Sequence, residues 1–114
     1  MVEFKHINDA IDAFVNGSLQ IYVGSATDAE ILQLADILNE KTNVKPFDGT
    51  EYNKYLRAKR SSSYRYVTCS PKEHSVSSYD NPSHRKNTLT AGEVVELYLS
   101  EHNLFSESDF DSVF

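Results

Sequence analysis

The sequence predicts an α+β domain, a small antiparallel sheet packed with about three helices, and three observations carry that prediction. Apolar residues at helical spacing, such as Ile7, Ala10, Ile11 and Phe14, occur in the same chain as alternating stretches, such as Tyr64 to Cys69. Two capping boxes, Thr27-Asp28-Ala29-Glu30 and Thr90-Ala91-Gly92-Glu93, mark helix starts. Between Tyr64 and Tyr79 there is room for a hairpin turn but not for the helical crossover that adjacent parallel strands need. An antiparallel sheet with helices on one side is the simplest packing of such elements.

Taken in order, Ile7, Ala10, Ile11, Phe14 and Val15 predict a first helix over residues 7–16, closed by Asn16-Gly17. Leu19, Ile21 and Val23 alternate with Gln20 and Tyr22 and predict a strand that ends at the Gly24-Ser25 turn. The Thr27 capping box, followed by Ile31, Leu34, Ala35 and Leu38 on one face, predicts a helix over 28–40. Beyond Pro46 and the Asp48-Gly49 turn, residues 50–60 fit two readings. One is a short helix through Tyr52, Tyr55, Leu56 and Lys59, capped by Asp48 or Glu51, and the other is a strand from Tyr52 to Ala58; helical spacing favours the helix. Tyr64, Tyr66 and Thr68 alternating with Arg65, Val67 and Cys69 predict a half-buried strand. His74 to Tyr79, rich in serine, reads as an exposed or edge strand. Residues 80–88 hold no apolar side chain and read as loop. The Thr90 capping box then opens a helix over 91–101 with Val94, Val95, Leu97, Tyr98 and Leu99.

At 114 residues with 39% hydrophobic composition the chain supports one core. We assign residues 1–102 to a compact domain and 103–114 to an acidic-aromatic tail, in which Leu104, Phe105, Phe110, Val113 and Phe114 lie among acids. The single cysteine, Cys69, forms no intramolecular disulfide. The first thirty residues show neither a signal-peptide pattern nor an apolar run of membrane-spanning length. A cytoplasmic protein with no membrane partner is therefore expected.

The net charge of −6 hides a segregation. Residues 1–53 carry nine acids against three lysines, a balance of −6; residues 54–86 carry eight bases against two acids, +6; residues 87–114 carry six acids and no base. Either a basic hairpin lies beside acidic helices and neutralises them, or the fold presents opposed patches that steer partners and promote self-association as a homodimer.

Motifs for chemistry are weak. The turn Gly24-Ser25-Ala26-Thr27 leads into a helix N-terminus, a place that favours anions, but Gly24 stands alone and Asp28 and Glu30 already occupy the helix dipole. Cys69 with His74 and Asp80 has the residue types of a nucleophile, base and orienting acid, yet a cysteine ending an alternating strand reads first as a small buried residue. His74, His84 and Asp80 have ligand chemistry without a metal-site spacing. Seventeen acids diluted by eleven bases make a poor phosphate mimic of DNA, and Ser112-Val113-Phe114 matches a carboxylate-capture terminus in three residues only. The sequence thus predicts no enzyme, no cofactor and no metal. The basic segment 52–66 interleaves Tyr52, Tyr55, Tyr64 and Tyr66 with Lys54, Arg57, Lys59, Arg60 and Arg65, the combination single-stranded nucleic-acid sites use.

Five stretches carry a resemblance: Leu19-Gln20-Ile21-Tyr22-Val23-Gly24-Ser25, the helix from Thr27 ending in Leu38-Asn39-Glu40-Lys41, the Phe47-Asp48-Gly49 turn, the strand Tyr64-Arg65-Tyr66-Val67, and Leu89-Thr90-Ala91-Gly92-Glu93-Val94-Val95. Over residues 19–99 this pattern of elements resembles small uncharacterised bacteriophage accessory proteins, although the tryptophan expected near the glycine turn is missing. The resemblance implies a factor that binds and disables a host or antiviral-defence protein, and it carries no site residues with it.

The expected function is therefore a protein-protein interaction module, a phage-encoded inhibitor acting by stoichiometric binding. Its candidate partner-binding residues are Arg57, Lys59, Arg60 and Arg65 with Phe105, Phe110 and Phe114. Single-stranded nucleic-acid binding through segment 52–66 is the alternative.

Overall fold

A computed structural model of the chain describes residues 4–101; the tail assigned to 103–114, with Phe105, Phe110 and Phe114, lies outside the described residues. The elements run α1 (Ile7–Val15), β1 (Leu19–Tyr22), α2 (Asp28–Lys41), β2 (Lys45–Pro46), α3 (Tyr52–Arg60), β3 (Tyr66–Ser70), β4 (Ser75–Tyr79), β5 (Asn87–Thr90) and a final helix, α4, over residues 91–101. The architecture is α+β, with four helices where about three were expected, because residues 52–60 form a helix.

The sheet has five strands in the order β2-β4-β3-β1-β5. It is mixed, not antiparallel. Strands β1, β3 and β4 pair antiparallel as predicted, but β5 joins β1 in parallel and β2 joins β4 in parallel. The crossover rule was sound for neighbours in sequence, and it does not constrain β1 and β5, which have most of the chain between them to make the crossover. Asn87-Thr88-Leu89-Thr90 carries no strand signal in the sequence, because one apolar residue makes no alternating pattern and its last residue also caps a helix. β4 is consequently not the sheet edge, since two residues of β2 lie outside it. Pro46 is tolerated there because edge positions need no donor on the outer side.

Period-two alternation sorts the sheet into two faces. Ile21, Val67, Cys69 and Val76, which are partners across β1, β3 and β4, belong to the buried core with Phe14, Ile31, Leu34, Leu38, Leu56 and Val94 from the helices. The helices are tied to one another as well. Glu101 of α4 accepts from Ile7 N–H of α1 at 3.2 Å, and Tyr98 Oη of α4 donates to Glu40 of α2 at 3.0 Å.

Residues of opposite parity, Gln20, Tyr22, Tyr66, Thr68, Ser77 and Tyr79, line the other face. The connection from β4 to β5 crosses that face and is held there by Gln20, whose amide bonds the backbone of Ser83 and the hydroxyl of Thr88. Both predicted capping boxes are formed: Thr27 with Glu30, and Thr90 with Glu93. Among the described residues no helix is long and apolar enough to cross a membrane.

Candidate interaction surface

Strands β1, β5 and β4 all end, and β3 begins, at one end of the sheet. The register there sets Thr90, Tyr22, Tyr66 and Tyr79 in a row across four strands. The C-terminal turn of α3 arrives at the same end, because residues 61–65 link it directly to β3. Local chemistry explains why cations gather in that turn: Arg57, Lys59 and Arg60 complement the partial negative charge of the helix C-terminus.

The four predicted cations are therefore brought together, but they differ in what they are free to do. Arg60 pairs with Asp28 at 2.7 Å and donates to the carbonyl of Ala26 at 3.2 Å, bolting α3 to the start of α2. Its hydrogen bond and charge, with help from Arg57, hold the Asp28 carboxyl below its ordinary range. Arg57 bonds Asn53 at 3.2 Å along its own helix. Arg65 donates from Nε to the carbonyl of Ser62 at 2.8 Å, and its side chain and the ring of Tyr22 converge over Gly24, where a β-carbon would collide with both. Lys59 lies over two rings, 5.2 Å from the centroid of Tyr55 and 6.0 Å from that of Tyr64, within cation–π range.

Among the described residues one ion pair, Arg60 to Asp28, joins this basic end to the acidic helices, and Arg57 adds its charge to the same carboxylate.

The tyrosines of segment 52–66 are divided. Tyr52 and Tyr55 are core residues, each 2% exposed, and cannot serve as stacking platforms. Burial drives the Tyr52 hydroxyl up to about 12 and raises that of Tyr55. Tyr64 is 51% exposed, and Tyr66 packs its ring 5.0 Å from that of Tyr22.

Sequence reasoning missed two aromatic residues here. Phe47, 63% exposed in the turn after β2, packs edge-on against Tyr55 with ring centroids 6.4 Å apart. Tyr79, 54% exposed, ends β4 opposite Tyr66. Phe47, Tyr64 and Tyr79 are three of the five exposed large apolar side chains among the described residues; Phe47 packs against Tyr55 and Lys59 lies over the rings of Tyr55 and Tyr64, whereas Tyr79 stands on the opposite face of the sheet. A large ring stranded beside Pro46 in a turn was a legible signal for Phe47. Tyr79 needed the register.

The other candidate residues fall in different settings. Cys69 is buried on the helix side of the sheet, where burial raises its thiol, whereas His74 sits in the exposed β3–β4 turn with a left-handed φ of 53°. Among the described residues no three His, Cys, Asp or Glu side chains converge as a metal site. At the N-terminus of α2 the free donors of Thr27 and Glu30 are already satisfied by the capping box.

No family model, curated protein or solved structure matches the chain.

Proposed function

We propose that this chain is a small protein-protein interaction module, a phage-encoded accessory factor that binds and inhibits a host or antiviral-defence protein stoichiometrically. The observation that carries the reading is the gathering of exposed Phe47 and Tyr64 about Tyr55 and Lys59, on the helix that also carries Arg57. Tyrosine, phenylalanine and arginine are the side chains enriched at the energetic centres of protein interfaces, because they bury much apolar area for few rotatable bonds.

The test is affinity purification from host lysate with the full chain as bait. A protein retained by the wild type should be lost with Lys59→Glu combined with Tyr64→Ala, and retained by Asp9→Asn and Asp12→Asn on α1. If no protein is captured, or capture survives the patch variant and fails with the α1 variant, the reading is wrong.

A second reading rests on Tyr22, Tyr66 and Tyr79 standing side by side on the face of the sheet opposite the helices, an arrangement on which unpaired bases stack. It predicts oligonucleotide binding that is strongest at about 50 mM salt and falls steeply as salt is added. Absence of any anisotropy change at the low-salt limit rules it out.

A further inference from the structure

One flank of α2 faces α3 along Leu32, Ala35 and Asn39, and the other faces α4. α2 and α4 run in the same direction, with Gly92 against Glu30 near their starts and Tyr98 bonded to Glu40 near their ends. Between them opens a cavity of about 160 Å³, lined by Ile37, Val95, Tyr98 and Leu99 together with Asp36 and Glu40. Leu99 is 40% exposed there. A cavity of about 150 Å³ with aliphatic walls accepts a benzene ring, so this one has room for one large apolar side chain.

Both helices bring acid to the cavity. Asp36 and Glu40 line it from α2. The Tyr98 hydroxyl is raised above its ordinary range by its hydrogen bond to Glu40, by desolvation and by the charges of Glu40 and Asp36, so both carboxylates stand close to it. On α4, exposed Glu96 lies one turn after Gly92 and one turn before Leu99, which sets it on the side that faces α2. Lys41, the last residue of α2, is the opposing charge at one end, and residues 91–101 contain no Lys or Arg.

We propose that this groove binds a cationic amphipathic helix of a partner protein, which seats a large apolar side chain in the cavity and sets Lys or Arg, one turn away, against Asp36, Glu40 and Glu96. The apolar anchor supplies most of the affinity, and the charges at the rim set orientation and speed of encounter. The net charge of the whole chain, −6, acts in the same sense. Residues 103–114, which follow α4 in the chain and carry Phe105, Phe110 and Phe114, are the poorer occupant, because Glu107, Asp109 and Asp111 would come with them to an acidic rim.

The experiment pans the full-length chain against a displayed library of random peptides about fifteen residues long, enough for about four turns of helix. Enriched peptides should share a large apolar residue with Lys or Arg three or four positions away. Their affinity should fall about tenfold or more on Asp36→Lys combined with Glu96→Lys, and on Leu99→Gln, and should be unchanged on Lys59→Glu. Asp36, Glu96 and Leu99 are all exposed, so circular dichroism should not change. Should the double charge reversal misfold, Leu99→Gln decides the matter.

Enriched peptides without a base, basic peptides without a large apolar residue, or peptides that bind the groove variants as well as the wild type overturn the site, as does failure to enrich any peptide. A gain in affinity of about tenfold or more for the full chain carrying Phe105→Ser, Phe110→Ser and Phe114→Ser would make the chain's own terminus the occupant and overturn the proposal too. The Lys59 patch is a different surface, judged separately by the lysate capture experiment.

Discussion

Gln20 and Ser83 hold each other through both ends of one amide. Gln20 Nε2 donates to the Ser83 carbonyl at 3.1 Å while the Ser83 N–H donates to Gln20 Oε1 at 3.0 Å. Gln20 is 1% exposed, and its remaining N–H reaches the hydroxyl of Thr88 at 2.8 Å, so all of its polar atoms are engaged. This side chain replaces the backbone ladder that the β4–β5 connection does not have.

Gln20→Leu should therefore destabilise the fold by about 2 kcal/mol, the cost of losing two hydrogen bonds to the half-buried Ser83 backbone, measured by urea denaturation. Gln20→Glu should be worse at neutral pH, because a carboxylate would face the Ser83 carbonyl, and should recover part of the loss in acid, where the protonated group again donates. Equal stability of wild type and both variants would mean that the crossing connection is not anchored here.

Gly92 lies in the first turn of α4 against Glu30 of α2, where an added β-carbon would stand 2.5 Å from Glu30 Oε2. Glu30 is the capping partner of Thr27. Gly92→Ala should then show a small net effect, since a helix-propensity gain of up to about 1 kcal/mol is offset by displacing the capping carboxylate. In a Glu30→Ala background the same substitution should become stabilising. A double-mutant cycle with no coupling between the two positions would refute the contact.

Tyr52 donates its hydroxyl to the carbonyl of Val44 at 2.6 Å in the core, and burial raises its ionisation to about 12. The folded value exceeds the unfolded one, so the stabilisation is complete below pH 10 and is lost as pH rises through about 12. The loss across that window should be roughly 2–3 kcal/mol. Ultraviolet titration should show one tyrosinate appearing last, together with unfolding, and Tyr52→Phe should remove that step.

Cys69 is 1% exposed, and burial holds its thiol above the ordinary range. A thiol-reactive dye should label the native chain far more slowly than the urea-unfolded chain, and Cys69→Ala should act on stability alone. Rapid labelling in the native state would reopen the nucleophile reading that the residue types first suggested.

What the sequence determined by itself was local. The capping boxes at Thr27 and Thr90 are visible in four consecutive residues because their hydrogen bonds close within four residues, and both helices begin where those bonds place them. The alternation at Tyr64 to Cys69 and the helical spacing of Tyr52, Tyr55 and Leu56 were legible for the same reason. The gathering of Arg57, Lys59, Arg60 and Arg65 followed from their closeness in the chain.

The tertiary structure alone decided what depends on partners far apart in sequence. Whether Asn87 to Thr90 is loop or strand is settled by the free backbone edge of β1, which no local pattern announces. Whether Tyr55 stacks on a ligand or fills the core is settled by α3 lying over the sheet, and that packing brings Phe47 against its ring and Lys59 over it. Short-range hydrogen bonds write themselves into neighbouring residues, whereas the register of distant strands is chosen by the burial of the whole core.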